Sequence, residues 1–259
     1  MNIPTELFTA FNDVQYFDEP HKYYLDGKEL VSVTTLIHEY VEPFDEEYWS
    51  EFKGREFNIH PRIIQRAWKF INNKGTMKGS AIHDYAENLF LNKTFEYPKE
   101  TIFNHFGFDP VRKEYQITKN HVDKFYADVQ NKLIPVKTEL ILYDREALIG
   151  GMLDMLFWNV RAQEFQIWDW KTNKAFTHEN KQRSLMGKLG LLEESDIEIY
   201  SLQLEMYKQI IERNTNIKLG QSYIVWFCHR NENYEIIKPK DRKYYANLLI
   251  QDRIAELAA

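Results

Sequence analysis

The chain of 259 residues is 44% hydrophobic and 28% charged, with ten glycines and eight prolines, an ordinary globular composition with enough length to bury a core unaided by cross-links. Its single cysteine, Cys228, excludes an internal disulfide, a four-cysteine iron–sulfur cluster and a zinc site built mainly on thiolates, and it favours the cell interior. The net charge of −6 is unevenly spread: residues 1–52 carry 12 acidic and 2 basic side chains, residues 53–78 carry 7 basic and 1 acidic, so a local cationic strip survives in an acidic chain.

The start, Met-Asn-Ile-Pro-Thr-Glu, has no basic segment leading into an apolar one, and no run approaches the roughly 18 apolar residues of a membrane span, so neither secretion nor a membrane partner is expected. Val14-Gln15-Tyr16-Phe17 and Lys22-Tyr23-Tyr24-Leu25, with the turn signal Asp26-Gly27 before Val31-Ser32-Val33, predict a small β-hairpin element. From Thr34 to about Asn73 the period becomes helical, with Pro43 and His60-Pro61 as punctuation, which predicts two or three helices. Gly79-Ser80 opens a further helix, Ala81 to about Leu91; a loop rich in Phe, Pro and charge then leads to a helix near Thr118 to Leu133. Val136–Tyr143, Ala147–Trp158 and Glu164–Trp170 read as three strands joined by antiparallel connections. The polar stretch from Thr172 to Asp196 is long for a passive loop and is expected to act as a flap. A helix around Ile199–Ile211, a buried strand Tyr223–Cys228 and a closing helix from Arg242 complete the chain, with no repeat and no composition break.

Candidate chemistry concentrates in Phe165-Gln166-Ile167-Trp168-Asp169-Trp170-Lys171-Thr172, where the two-residue period of a strand puts Asp169 and Lys171 on one face. Charges there need partners, and either a divalent cation or a plain Asp–Lys pair at a sheet edge supplies them. The preceding strand adds Asp154 within an apolar run; across an antiparallel hairpin it converges with Asp169 within the roughly 4 Å over which carboxylates share metal ions. Gly150-Gly151 mark a bulge or a close backbone approach beside it. Glu139, two residues from Lys137, is either a third acid of the site or one polar residue of an alternating strand. His83 and Glu87 share a helix face, where a lone histidine is more often structural than ligating, and Gln203 and Tyr207 stand at the same spacing on a later helix.

In order, these residues resemble the RecB-type branch of the PD-(D/E)XK nucleases. That branch carries a helical glycine with a histidine four residues later, a strand Glu, a G-x-x-D strand, a D-x-K-T strand end and a Q-x-x-x-Y helix. Here these are Gly79 with His83, Glu139, Gly151 with Asp154, Asp169 with Lys171-Thr172, and Gln203 with Tyr207, spanning about residues 75–230. Lys171-Thr172-Asn173-Lys174 and Tyr200 look most like bacteriophage-encoded exonucleases, and mitochondrial genome maintenance exonucleases are similar too. Two departures, no Pro before Asp154 and Asp169 in place of the commoner Glu, are both common in the branch.

The resemblance implies a mixed α/β, restriction-endonuclease-like core with a central mixed β-sheet flanked by helices. A hairpin and helical N-terminal region (1–74) would pack on the nuclease core (75–259) as one compact unit. It implies hydrolysis of DNA from its ends with magnesium or manganese, one or two ions, held by Asp154, Asp169, the carbonyl of Trp170 and His83, with no iron–sulfur cluster. Lys171 would orient or deprotonate the attacking water, Glu139 would ligate through water or position Lys171, and Gln203 and Tyr207 would contact the strand. Lys53, Arg55, Arg62, Arg66, Lys69, Lys74 and Lys78 form a candidate phosphate-tracking strip with Trp68 available for stacking, the other reading being a solvated helix face. Implied partners are linear single- or double-stranded DNA and a single-strand annealing or replication protein, within an oligomer or a monomer, in phage or organellar-type recombination, repair or replication. The bacterial or phage-infected cytoplasm is the expected compartment ahead of an organelle matrix. Three further readings stay open: a sequence-nonspecific or structure-specific DNA endonuclease, since a restriction-like enzyme would need a base-reading helix-turn-helix or zinc module that the sequence does not show; a catalytically silent DNA-binding or assembly module; and a two-carboxylate sugar hydrolase, which would need neither Lys171 nor a basic strip.

Overall fold

The computed structural model of the chain describes residues 4–17, 21–93 and 109–259. After a single helical turn, α1 (Glu6–Thr9), the chain forms β1 (Gln15–Phe17), β2 (Lys22–Leu25) and β3 (Lys28–Ser32), an antiparallel set. Asp26 and Gly27 both take positive φ at the β2–β3 turn, the backbone that a two-residue hairpin with native twist demands. Three helices follow: α2 (Val33–His38), capped by Ser32; α3 (Glu46–Phe57), capped by Asp45; and α4 (Pro61–Phe90), with proline at its first position.

The break expected at Gly79 does not occur, and α4 runs uninterrupted for 30 residues across position 74. Buried Ile64, Ala81, Ile82, Ala86 and Phe90 supply its packing, and the cost of helical glycine, roughly 1 kcal/mol, is small against that burial. A Cβ at Gly79 would lie 3.2 Å from Thr172 Oγ1, so this glycine serves close packing and not a start signal. The Phe- and Pro-rich loop expected next lies largely outside the described residues. The helix expected near 118–133 is α5 (Asp109–Val129), because Leu133 is already paired with Asn159 in the sheet.

β4 (Leu133–Asp144), β5 (Ile149–Asn159) and β6 (Glu164–Lys171) are the expected antiparallel strands. β7 (Tyr223–Trp226) runs parallel to β6, and β8 (Glu235–Ile237), which alternation over three residues was too short to reveal, is antiparallel to β7. With the N-terminal set joined by parallel pairing of β3 to β5, the sheet among the described residues has eight strands. The molecule is therefore mixed α/β, a central mixed sheet flanked by helices. One face carries an aliphatic core with α6 (Asp196–Asn214) and α7 (Lys243–Ala258); the other carries an aromatic core of Phe90, Phe125, Phe157, Trp168, Trp170 and Phe227 under α4 and α5. No helix among the described residues is long and apolar enough to cross a membrane.

The stretch 172–196 differs from the expected flap. Phe176, Leu185, Leu189 and Leu192 are buried in the aliphatic core, and the Met186 N–H donates to the Tyr40 carbonyl, so apolar residues dispersed among polar ones pin it down.

A buried glutamate ties the chain's last segment to α6: Glu198 accepts from the partly exposed Lys240 Nζ at 2.5 Å and from Arg242 Nε at 2.5 Å. Burial opposes ionisation of Glu198, but the two cations outweigh it and hold its pKa below the ordinary glutamate value. The stabilisation is thus complete above that ordinary value and is lost as pH falls through the folded-state pKa. Glu198→Gln is expected to lower unfolding free energy by about 2–3 kcal/mol at neutral pH. In urea titrations across pH, the gap from wild type should begin to narrow below about pH 4.5, where the unfolded chain takes up the proton first, and should close as pH falls through the lowered native value.

Candidate functional site

Strand β5 has one neighbour along one edge and two along the other. On that second edge β3 pairs with Ile149 and Gly150, β6 pairs with Met155 to Asn159, and neither pairs with residues 151–154. Asp154 stands in this gap. Its Oδ2 accepts the backbone N–H of Trp170 at 2.7 Å, replacing a ladder bond that the diverging strands cannot make, and its Oδ1 lies 3.4 Å from His83 Nδ1 on α4. On β6, the shared face expected of Asp169 and Lys171 is realised as an ion pair, Oδ2 to Nζ 2.6 Å, and Lys171 Nζ sits 4.4 Å from the centre of the Tyr200 ring.

Glu139 lies between Thr138 and Leu140, which pair with Met155 and Leu153, and so stands opposite Asp154 at a φ of 43° that breaks the regular ladder. Across from it, Gln203 Nε2 donates to the Tyr207 hydroxyl at 3.0 Å on α6. A cavity of about 660 Å³ is lined by His83, Glu139, Asp154, Gln203 and Tyr207, and a second of about 450 Å³ by His83, Trp170, Lys171, Lys74, Lys78 and Lys174. His83 belongs to both. Five separate chain segments thus meet at the gap in the sheet.

Electrostatics at the gap are dominated by carboxylates. Burial raises the Asp169 pKa to about 6, helped by the like charge of Asp154 and opposed by Lys171. Burial works against the Lys171 ammonium, yet Asp169 and Asp154 outweigh it and hold its pKa above the ordinary lysine value, so it donates and does not accept. Asp154 is held below its ordinary value, because His83, Lys171 and the Trp170 N–H together overcome burial. Glu139 is pushed up by burial and by the neighbouring carboxylates of Glu87, Asp84 and Asp154. Glu87 also accepts from Thr138 Oγ1 at 2.6 Å.

The cationic strip is divided by the fold. Arg62, Arg66 and Lys69 are exposed on the first half of α4, with Trp68 half-buried against Phe44. Lys53 and Arg55 are paired with Glu56 and Glu51 on α3. Lys74 pairs with Glu114 at 3.0 Å, and Lys78 is buried with its Nζ 3.3 Å from His229 Nδ1, so these two belong to the second cavity and not to an exposed strip. Helical period could place Lys78 on a face but could not announce His229, which is 151 residues away. Asp84, beside His83 on the cavity wall, was legible only as its sequence neighbour.

Among the described residues, no group of three or more His, Cys, Asp or Glu side chains already surrounds a common metal-sized point. Asp154 is engaged with Trp170 and His83, and Asp169 with Lys171. The donor chemistry nonetheless suits a hard divalent cation: carboxylates on adjacent strands with an imidazole beside them, in a cluster of acids whose mutual repulsion a cation relieves.

No family model matches this chain, and no curated protein matches it. Among solved structures, a putative exonuclease from Eubacterium rectale aligns with 71% of this chain and 67% of its own length at 12% identity and a TM-score of 0.40. A protein designated SSO0001 aligns with 71% of this chain and 88% of its own at 13% identity and a TM-score of 0.25. Both likenesses are distant, and what this chain does must be read from its own residues.

Gly151 leaves no space for a side chain beside α6. A Cβ there would lie 2.6 Å from Tyr207 Cε1, and that buried ring has little room to retreat. Gly151→Ala should therefore lower unfolding free energy by about 1–3 kcal/mol, read by urea titration. In a Tyr207→Leu background the added penalty should shrink, which is the signature of a direct clash.

Proposed function

We propose that this chain is a divalent-metal-dependent deoxyribonuclease that hydrolyses phosphodiester bonds from DNA ends. The observation that carries the reading is the meeting, at one gap in the sheet, of Asp154, Asp169, Lys171, His83 and Glu139 with the Gln203–Tyr207 pair. It is supported by the ordered resemblance of those same residues to the RecB-type PD-(D/E)XK nucleases, whose phage-encoded exonucleases act in recombination, repair and replication.

Asp154, Asp169, the Trp170 carbonyl and His83 would hold magnesium or manganese, the imidazole favouring manganese. When bound, the cation neutralises a non-bridging phosphate oxygen and stabilises the leaving oxyanion. The protein's own groups do the rest. Lys171 orients the attacking water by donating to it and offsets phosphate charge. Glu139, facing Asp154, positions a water or the Lys171 ammonium. Gln203 and Tyr207, already joined by a hydrogen bond, contact the strand beside the scissile linkage. Arg62 stands 21 residues before His83 on the same helix, roughly 30 Å along its axis, so Arg62, Arg66 and Lys69 form a track leading toward the site. The preference for ends rests on the resemblance to phage-encoded exonucleases.

Purified protein incubated with linear DNA and with a covalently closed circle of the same sequence tests the reading. Linear DNA should be degraded progressively in magnesium or manganese, EDTA should stop it, and the circle should survive; cutting of the circle removes the end requirement, and no cutting of either removes the enzyme. Asp154→Asn, Asp169→Asn and Lys171→Ala should each abolish cleavage. The first keeps an acceptor for the Trp170 N–H and should stay folded by circular dichroism, whereas Lys171→Ala leaves Asp169 buried without its cation and should also lower Tm.

The exposed half of α4 makes a separate prediction. Replacing Arg62, Arg66 and Lys69 together by Gln should weaken binding to all DNA sequences alike and flatten the plot of log affinity against log salt by roughly 2 to 3. An unchanged slope would assign these residues to solvation alone.

A further inference from the structure

The β1–β3 hairpin has no task in the chemistry above, yet it forms a wall of the catalytic cavity. It is joined to the main sheet through Val31 and Ser32, which pair with Ile149 and Gly150, four residues before Asp154. Gly150 permits that approach: a Cβ there would lie 3.2 Å from Tyr23 and 3.1 Å from Leu30. Tyr16 packs on buried Tyr23 with ring centroids 5.0 Å apart, and its hydroxyl is hydrogen-bonded to His21 Nδ1 at 2.6 Å. His21 takes a φ of 64°, a conformation that residues with a Cβ adopt only when their surroundings enforce it. Tyr16, His21 and Tyr23 line the same cavity of about 660 Å³ as His83, Glu139 and Asp154.

The two walls differ chemically. Asp84, Glu139 and Asp154 make one side hostile to phosphate unless a cation intervenes, whereas the hairpin side is lined by the uncharged aromatic rings of Tyr16 and His21, with Tyr23 buried behind them. Ser32 and Thr34, at the same rim, are engaged with each other, and Ser32 caps α2 by accepting the Thr35 N–H, so these two hydroxyls are already committed within the protein.

Building on the nuclease reading, we propose that the Tyr16–His21 wall is a nucleobase subsite, stacking the base of the terminal nucleotide of a DNA strand while the adjoining phosphate lies toward Asp154. Recognition by stacking tolerates every base, since each has a π face, and it requires that the terminal nucleotide be unpaired. The hairpin then holds the strand end and the sheet gap carries the chemistry.

Equilibrium binding of a fluorescent single-stranded oligonucleotide to the full chain tests this without turnover. The last three linkages at both ends are methylphosphonates, which resist hydrolysis and carry no charge, and the buffer contains EDTA. A matched probe carries abasic residues at those positions. Wild type should bind the abasic probe roughly 10-fold or more weakly. Tyr16→Leu should lose a similar factor on the intact probe and be indifferent to base removal, because the two changes delete one contact. Tyr16→Phe, which keeps the ring, should behave as wild type. If Tyr16→Leu fails to fold, His21→Ala carries the same comparison.

Equal wild-type affinity for the two probes, failure to bind either, or an abasic penalty persisting in full in Tyr16→Leu or His21→Ala overturns the subsite. The cleavage assay on natural linear DNA is scored separately. Cleavage by a protein indifferent to base removal removes the subsite and leaves the nuclease; base-dependent binding without cleavage removes the nuclease and leaves the subsite.

Discussion

Strand β5 is asked to hydrogen-bond to β3 at its start and to β6 at its end on the same edge, and the two neighbours come from different parts of the chain. The gap between them leaves backbone groups that an uninterrupted sheet would pair, and an unpaired buried N–H is costly. The Asp154 carboxylate answers that demand by taking the Trp170 N–H, and in doing so it is fixed beside the Asp169–Lys171 pair. One constraint of sheet topology thus positions the residues of the proposed chemistry. It also explains the adjacent glycines: Gly150 admits the hairpin and Gly151 admits the Tyr207 ring, so the walls of the cavity close on the strand that carries the acid.

Charge at the gap is held in an unrelaxed state. Asp84, Glu139, Asp154 and Asp169 face Lys171 and His83, and burial pushes Asp169 and Glu139 toward protonation. Such an arrangement is poor for stability taken alone, because burying like charges together costs more than separate solvation. The aromatic core beneath, with Phe90, Phe125, Phe157, Trp168 and Trp170 in mutual ring contact, supplies rigid support against that repulsion. Lys171 and its Tyr200 neighbour hold the cationic end of the site toward the second cavity, where Lys74, Lys78 and Lys174 accumulate. Acid on one side of His83 and base on the other give the site a direction.

Helix α4 connects the two scales of the molecule. Its first half is solvated and carries Arg62, Arg66 and Lys69, and its second half is buried against the sheet and carries His83. The helix runs from one half to the other without an intervening loop, so on the proposed function a DNA strand laid along the exposed half would be led toward the gap. The segment 172–196, pinned by its own leucines, contributes Thr172, Asn173 and Lys174 to the second cavity and is otherwise part of the core.

Local sequence was sufficient for those features that depend on neighbours along the chain. The alternation in residues 164–171 predicted that Asp169 and Lys171 share a face, and Asp26-Gly27 predicted the hairpin turn, because backbone geometry over two to four residues settles both. The order of Gly79, His83, Glu139, Asp154, Asp169, Lys171, Gln203 and Tyr207 was also legible, and so was the mixed α/β class. Periodicity could not show that β3 joins β5 in parallel, that Lys78 is buried on His229, or that the hairpin walls the Asp154 cavity, since each is a contact between segments more than a hundred residues apart. Nor could it keep α4 whole through Gly79, where helix propensity argues for an end and tertiary burial of Ala81, Ile82 and Phe90 overrides it. Short-range geometry is written residue by residue, whereas the gap in the sheet exists only once distant strands compete for one edge of β5.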